Sequence, residues 1–156
     1  MFRQAKESDI SRIAEILIIT KRLSNRRYFQ NDHVSFNVMQ VGSEIERLKQ
    51  PHALDNVFVY DDGIVKATIN VEIEPDKVML TNLYVDQFFQ GEGIGTYILK
   101  SIIDKYTNKE IHVNPIEANT RLRQYYEKLG FVYTGNRYEY FDTGVFLRDY
   151  CYKRQV

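Results

Sequence analysis

The chain is organised around one segment, which reads Leu83-Tyr84-Val85-Asp86-Gln87-Phe88-Phe89-Gln90-Gly91-Glu92-Gly93-Ile94-Gly95-Thr96-Tyr97. Its residue types predict a strand end, an acidic and aromatic bend, a glycine loop and the start of a helix. Glycines alternate at positions 91, 93 and 95, and without Cβ atoms they let backbone N–H groups approach a ligand closely. The first N–H groups of the helix have no acceptor within it, and the helix dipole is positive there. We therefore predict a binding site for a phosphorylated cofactor.

The composition indicates a globular protein without a dominant charge. The 156 residues suit one domain with a sizeable core, assigned to residues 1–156. Lys+Arg and Asp+Glu both number 21, so charge favours neither nucleic acid nor an anionic membrane as a partner. The single cysteine, Cys151, excludes an intrachain disulfide and a cysteine-based metal cluster. The sequence has no signal-like apolar start and no membrane-length apolar run, so we expect a cytoplasmic protein.

Hydrophobic periodicity and turn residues predict the order β-α-α-β-β-β-α-β-α-β-β. The predicted elements are a strand at 2–5, a helix from Ser8 or Asp9 to about 22, a loop at 24–33, a helix at 43–49, strands at 56–60, 64–72 and 77–85, a helix at 94–106, a strand at 110–114, a helix at 119–129, and strands at 131–140 and 145–152. This order predicts an α/β (mixed α+β) fold, in which a mostly antiparallel sheet is flanked by helices on both faces.

Three common glycine loops do not fit the segment. A P-loop needs Lys and then Ser or Thr after its last glycine, whereas Gly95 is followed by Thr96 and Tyr97. A dinucleotide fingerprint needs Gly-x-Gly-x-x-Gly in a βαβ frame, and here the third glycine comes one residue early, after an antiparallel meander. A kinase glycine loop belongs to a far longer domain.

Two motifs resemble those of the GNAT superfamily of acetyl-CoA-dependent N-acetyltransferases. Gln90-Gly91-Glu92-Gly93-Ile94-Gly95 is similar to its Gln/Arg-x-x-Gly-x-Gly/Ala loop. Asn119-Thr120-Arg121-Leu122-Arg123-Gln124-Tyr125-Tyr126-Glu127-Lys128-Leu129-Gly130-Phe131 is similar to its Asn-x-x-Ala-x-x-Phe-Tyr-x-Lys-x-Gly-Phe block, with Leu122 in place of the small residue. The resemblance covers nearly the whole chain in the right element order, and implies the GNAT fold and an N-acetyltransferase activity.

The resemblance also implies a cofactor site. In the family, the strand before the loop pairs with the pantetheine arm and the loop N–H groups hold the pyrophosphate. Carried onto this chain, the cofactor-binding residues are Leu83, Tyr84, Val85, Gln90, Gly91, Glu92, Gly93, Ile94, Gly95, Thr96 and Asn119. The implied co-substrate is acetyl-CoA, and no metal is expected. Glu92 is an unusual residue for a phosphate-binding loop. It is harmless if only its backbone faces the ligand, whereas a carboxylate that points inward would lower the affinity for the cofactor.

For catalysis, Tyr126 matches the family's tyrosine that often protonates the departing CoA thiolate. Met79 stands where some members carry a glutamate base, so deprotonation is expected to use a water chain or Glu72. The expected reaction is transfer of the acetyl group to a primary amine, of a small molecule or a peptide, by direct attack in a ternary complex. A homodimer is compatible with these expectations, and the sequence does not decide the oligomeric state.

Structural interpretations stay open for these residues. Tyr126 could be a buried core tyrosine, Asn119 an N-cap and Glu72 a solvated strand residue. Cys151 is expected to be a small core residue, and the three histidines to be structural or exposed without forming a metal site. Two other functions also stay open: a CoA-binding sensor without turnover, and a transferase of the same fold that uses another acyl-CoA.

Overall fold

The computed structural model describes residues 1–153 and confirms the mixed α/β fold. Its strands and α-helices are β1 (Phe2–Gln4), α1 (Ile10–Phe29), α2 (Val41–Leu48), β2 (Val57–Asp61), β3 (Val65–Ile73), β4 (Lys77–Val85), α3 (Ile94–Lys105), β5 (Glu110–Val113), α4 (Thr120–Lys128), β6 (Val132–Glu139) and β7 (Phe146–Tyr152). The strands form a seven-stranded, mostly antiparallel sheet in the order β1-β2-β3-β4-β5-β7-β6. In the part of the chain described, no helix is long and apolar enough to span a bilayer.

The contacts divide the chain into two compact units. The first comprises Met1–Val71 and Asn82–Ile102, and the second Glu72–Thr81 with the described residues from Ile103 onward. The division therefore falls within β3, β4 and α3. The single domain over residues 1–156 stays a prediction.

In the first unit, β2 pairs antiparallel with both β1 and β3. The turn at Asp61-Asp62-Gly63 joins β2 to β3 as predicted, with Gly63 at a φ of 106°. Helix α1 buries the side that its apolar spacing predicted. The resulting core cluster consists of Ile10, Ile13, Ala14, Leu48, Val57 and Val59.

Asp9 fixes the entry into α1 by a network that replaces a simple cap. Its carboxylate accepts two hydrogen bonds from the Arg3 guanidinium, at 2.8 and 3.0 Å, and one from the backbone N–H of Lys6 at 2.8 Å. The hydrogen bonds from Arg3 lower the pKa of Asp9 below its usual value. Arg3 also donates to Asp61 at 2.9 Å, so this network ties β1 to the end of β2.

The predicted end of α1 near residue 22 is wrong, because the helix continues to Phe29. Its C-cap is Gln30, which takes a left-handed φ of 49° and donates its backbone N–H to Arg26 O. The predicted loop at 24–33 is therefore largely helix, followed by a π-helical turn over His33–Val38. The Arg22 side chain donates to the carbonyls of Ser35 and Met39 at 2.9 Å each, which ties the π-helical turn to α1.

In the second unit, β4 pairs parallel with β5, and β7 pairs antiparallel with β5 and β6. Helix α4 ends at Lys128, and Gly130 follows with a φ of 104°, as a glycine after a helix C-terminus is expected to do. A Cβ at Gly130 would lie 2.9 Å from Cε2 of Tyr152. Phe131 is buried between Tyr126 and Tyr152, with ring centroids 5.5 and 5.6 Å away.

An ion-pair network joins the segment before α4 to the last two strands. Glu117 accepts hydrogen bonds from Arg137 at 3.0 and 2.8 Å and from Arg148 at 2.9 Å. These hydrogen bonds lower the pKa of Glu117 to about 2. Arg123 adds a bond from its Nε to the backbone carbonyl of Glu117 at 2.8 Å, which holds the same segment against α4.

Candidate active site

The end of β4 departs from regular strand geometry. Its parallel register with β5 runs from Lys77 to Leu80, and Asn82 then adopts a left-handed φ of 53°. A left-handed residue other than glycine is uncommon inside a strand and marks a local irregularity. The half-buried residues 83–85 follow this irregularity. They are the residues predicted to pair with the pantetheine arm.

The glycine loop begins with a short turn that Asp86 caps. The Asp86 carboxylate accepts the N–H of Phe88 at 2.9 Å, and the 3₁₀ turn Gln87–Phe89 follows. The Gln90 side chain then donates back to the carbonyl of Val85 at 3.1 Å. These local bonds give the loop a defined path before its first glycine.

Gly91 and Gly93 have left-handed φ angles of 83° and 81°, which favour glycine. A Cβ added at either position would meet no atom within 4 Å beyond the chain neighbours. Packing therefore does not explain these glycines, whereas backbone conformation does. The carbonyl of Gly93 accepts the N–H of Tyr97 at 2.9 Å, and α3 begins at Ile94 as predicted. The loop thus has the form of an anion site at a helix N-terminus.

Arg12 on α1 anchors the start of this loop, and the sequence reasoning missed it. Its guanidinium lies 2.6 Å from the Asp86 carboxylate, and its Nε donates to the carbonyl of Val65 at 2.9 Å. The Asp86 N–H also donates to the carbonyl of Lys66 at 2.8 Å. Nothing in the linear sequence connects an arginine on the first helix to an acid after β4, because only the folded first unit brings them together.

Glu92 is exposed in the loop. Lys66 lies on β3, where its ammonium is 2.8 Å from the Asp62 carboxylate and 4.5 Å from the centre of the Phe89 ring. The hydrogen bond with Asp62 raises the pKa of Lys66, with a smaller contribution from the charge of Glu92. The Lys66 charge therefore partly offsets the acidic residue in the loop.

In the second unit, Asn119 is the N-cap of α4. Its Oδ1 accepts the N–H of Leu122 at 3.1 Å, which confirms the capping role. Tyr126 is buried, with its ring 5.5 Å from Phe131 and 5.7 Å from Tyr125. This packing agrees with the core interpretation of Tyr126. The catalytic role of Tyr126 and the cofactor contact of Asn119 stay predictions.

From the sequence, an acceptor site is expected between residues 23–55 and the last two strands, which carry the aromatic residues Tyr28, Phe29, Phe36, Tyr138, Tyr140 and Phe141. Most of these residues, like Glu72, are at the surface. Glu72 is exposed on β3. In the first unit Phe36 is 46% exposed and lies under the guanidinium of Arg22 at 5.2 Å. In the second unit the exposed aromatic residues are Tyr138, Tyr140 and Phe141. A single aromatic acceptor cleft formed by these residues stays a prediction.

Cys151 is half-buried rather than a core residue. Burial raises the pKa of its thiol to about 11, with further contributions from the carboxylates of Glu110 and Asp149. The thiol is therefore protonated at neutral pH in this environment, and a thiol is a poor nucleophile. His33 and His52 are exposed as expected, whereas the His112 side chain is 12% exposed and contacts two carboxylates.

Comparison with known proteins gives one family and several similar chains. A family model described as an acetyltransferase (GNAT) domain matches residues 26–146. Spermine/spermidine N(1)-acetyltransferase of Bacillus subtilis is 25% identical over 127 residues, which cover 71% of this chain and 84% of that protein. A solved N-acetyltransferase from Staphylococcus aureus Mu50 has a TM-score of 0.76 at 15% identity, with 97% of this chain and 99% of that chain covered. An N-acetyltransferase from Thermoplasma acidophilum, in complex with coenzyme A, has a TM-score of 0.68 at 16% identity, with 96% of each chain covered.

Proposed function

Because the chain belongs to the GNAT family of acetyltransferases, we propose that it transfers the acetyl group of acetyl-CoA to a primary amine. The enzyme class follows from the family, whereas the acceptor and the roles of individual residues are our proposals. The reaction proceeds by direct attack within a ternary complex.

The observation that carries the proposal is the glycine loop at the N-terminus of α3. Gly91 and Gly93 combine left-handed backbone with open space around their Cα atoms. Such a loop lets the N–H groups of residues 90–96 turn toward an anion, and the helix dipole adds to the attraction. We assign the CoA pyrophosphate to these groups and the pantetheine arm to the backbone of Leu83 and Val85. The Tyr84 side chain is directed toward α1, where its hydroxyl lies 3.4 Å from the side-chain amide nitrogen of Asn25.

The chemistry needs an oxyanion stabiliser and an acid. The neutral amine attacks the thioester carbonyl, an N–C bond forms, and the carbonyl oxygen becomes an oxyanion that a backbone N–H near Val85 stabilises. The C–S bond then breaks, and the CoA thiolate takes a proton from the Tyr126 phenol. The attacking nitrogen loses its proton to a water chain or to Glu72, whose exposed position allows exchange with solvent.

Polyamines are the first acceptors to test. The Bacillus subtilis relative is named for spermine and spermidine, which both carry primary amines. At 25% identity the relative does not fix the acceptor of this chain. We therefore propose the class, a primary amine, and use polyamines as the reference substrates in a panel that also contains peptides with a free N-terminus.

The test compares Tyr126→Phe with Tyr125→Phe, which removes the adjacent phenol from the same helix. With acetyl-CoA and the best amine of the panel, we expect kcat of Tyr126→Phe to fall by about 10²-fold, within the usual range for loss of a general acid. The dissociation constant for CoA should stay unchanged in both variants, and Tyr125→Phe should keep its kcat. A Tyr126→Phe enzyme with full kcat would overturn the assignment.

Two alternatives make different predictions in the same assays. A CoA-binding sensor binds CoA tightly but acetylates no amine of the panel. A transferase for another acyl group releases CoA faster from a longer or charged acyl-CoA than from acetyl-CoA. Initial rates with both substrates varied should give intersecting lines in double-reciprocal plots, whereas parallel lines would indicate an acyl-enzyme.

Location and assembly are proposed from the sequence alone. We propose a cytoplasmic enzyme, because its co-substrate is acetyl-CoA and its sequence has a single cysteine. A homodimer stays open, and sedimentation of the purified protein decides between monomer and dimer.

A further inference from the structure

Three metal-ligand side chains converge on one face of the second unit. His112 and Cys151 are directly paired residues of β5 and β7, so their side chains leave the same face of the sheet. Glu110 precedes His112 by two residues and therefore shares that face. The donor atoms of Glu110, His112 and Cys151 all lie within 4.8 Å of one another. None of the three is among the residues assigned above to cofactor binding or catalysis.

The His112 ring is held on both sides by carboxylates. Its Nδ1 lies 2.9 Å from Asp149 Oδ1, and its Nε2 lies 3.1 Å from Glu110 Oε2. Asp149 is itself fixed, because the Thr134 hydroxyl donates to its Oδ2 at 3.0 Å. A carboxylate on one ring nitrogen orients the other nitrogen toward a metal in many metal sites. Asp149 is placed to do this for Nε2 of His112.

The spacing between Nε2 of His112 and Oε2 of Glu110 fits two ligands of one metal ion. A neutral imidazole that donates its only N–H to Asp149 presents a lone pair at Nε2, and the Glu110 carboxylate also presents lone pairs. Two acceptors 3.1 Å apart attract each other only through a proton or a cation between them. A tetrahedral zinc ion would separate a nitrogen and an oxygen ligand by about 3.3 Å, from the usual bond lengths. The observed spacing therefore suits either occupant.

The three donor atoms lie slightly farther apart than a bound zinc ion requires. They are within 4.8 Å of one another, whereas a tetrahedral zinc ion holds a sulfur and a nitrogen ligand about 3.6 Å apart. All three residues are half-buried, and a small movement of the Cys151 side chain would close the difference.

We propose that Glu110, His112 and Cys151 bind a thiophilic divalent cation, with Zn²⁺ as the best fit, and that Asp149 positions His112. Sulfur, nitrogen and oxygen donors together suit Zn²⁺ and exclude the hard ions Ca²⁺ and Mg²⁺, which take oxygen ligands. Three protein ligands leave the fourth position of a tetrahedron for water. The Lys153 ammonium lies 3.7 Å from Oε1 of Glu110, on the opposite oxygen from the one that faces His112.

The test uses Co²⁺ as a spectroscopic substitute for Zn²⁺ in the full chain without an affinity tag. Cys151 is the only cysteine, so a cobalt–thiolate charge-transfer band in the near ultraviolet reports this residue alone. We expect the band to saturate at one equivalent of Co²⁺, and added Zn²⁺ to abolish it by displacement. Absence of the band at one equivalent and at a tenfold excess overturns the proposal.

Variants separate the site from a general affinity of the surface for metal. Cys151→Ser and His112→Gln should lose the band, and Asp149→Asn should keep it with an affinity about 10- to 100-fold weaker. His52→Gln is the matched control, because His52 is exposed and bonded to Asp55, and it should bind as the unmodified protein does. A band that survives His112→Gln would overturn the assignment. Melting curves with and without Zn²⁺ provide a second readout, since only variants that bind should be stabilised.

Discussion

Glu117 shows how one half-buried carboxylate can couple stability to pH. Two arginines donate to it, and the pKa of Glu117 falls from an ordinary 4.5 to about 2. A carboxyl whose pKa is lower in the folded state stabilises that state above its unfolded pKa. This contribution is present above about pH 4.5 and is lost as the pH falls toward about 2.

We predict that, in the acid range, the free energy of unfolding depends less on pH in Glu117→Gln than in the unmodified protein. Urea unfolding at pH 7, 4 and 3 measures it: the unfolding free energy of the unmodified protein should drop more between pH 7 and 3 than that of the variant. Glu46→Gln is the control, because Glu46 is exposed and forms a single ion pair at 3.5 Å with Lys49, three residues along the chain. Equal pH slopes for the Glu117 variant and the unmodified protein would contradict the role of the two arginines.

Two glycines in different elements provide a matched pair of substitutions. Gly130 has a φ of 104° after α4, and a Cβ there would press against Tyr152 at 2.9 Å. Gly42 lies within α2 without a positive φ, and a Cβ there would meet nothing within 4 Å. We expect Gly130→Ala to lower the free energy of unfolding by about 2 kcal/mol through strain. Gly42→Ala should raise it by about 0.5–1 kcal/mol, and similar effects at both positions would contradict this reasoning.

Helix α1 and the glycine loop are joined by the Arg12–Asp86 ion pair. We predict that Arg12→Met weakens CoA binding about fivefold, roughly 1 kcal/mol, because the start of the loop loses its preorganisation. Isothermal titration calorimetry measures the dissociation constant. Glu15→Gln is the control on the same helix, since Glu15 is exposed and reaches Arg12 only at 3.6 Å. Unchanged affinity in Arg12→Met would show that the loop holds its conformation without α1.

The elements that the sequence predicted well have local signals. Asp61-Asp62-Gly63, the Asn119 cap and Gly130 each depend on residues within one turn, so the printed sequence contains the cause. The predicted end of α1 was wrong for the opposite reason, because no local signal marks it. The helix runs on to Phe29 and ends at Gln30, which takes a left-handed φ of 49°, and no helical period marks a glutamine as the end of a helix.

The cluster of Glu110, His112 and Cys151 was missed because strand order hides it. In sequence, β6 lies between β5 and β7, yet the sheet places β7 beside β5. A usable signal did exist: Glu110-x-His112 and Asp149-x-Cys151 each put two ligand types on one face of a strand. Pairing the two motifs required the register of His112 with Cys151, which only the structure supplies.

For the whole chain, the family and the fold were predictable because two separate motifs agreed, and the acceptor was not because no motif encodes it.

The proposed cofactor should also stabilise the folded protein by mass action. At 100 times its dissociation constant, CoA should add about 2.7 kcal/mol, or a rise in Tm of about 5–10 °C for a chain of this size. Differential scanning fluorimetry measures the shift, with NAD at the same concentration as the control. An equal shift with NAD would contradict a CoA site.

The open space around Gly91 and Gly93 has a consequence for the evolution of this loop. Without crowding by neighbours, a side chain at either position costs mainly backbone strain. Asn and Asp tolerate left-handed backbone better than other residues do. Lineages that lost the need for CoA could therefore drift to Asn or Asp here and still fold, so a glycine kept at both positions in active descendants would record selection by the ligand rather than by the fold.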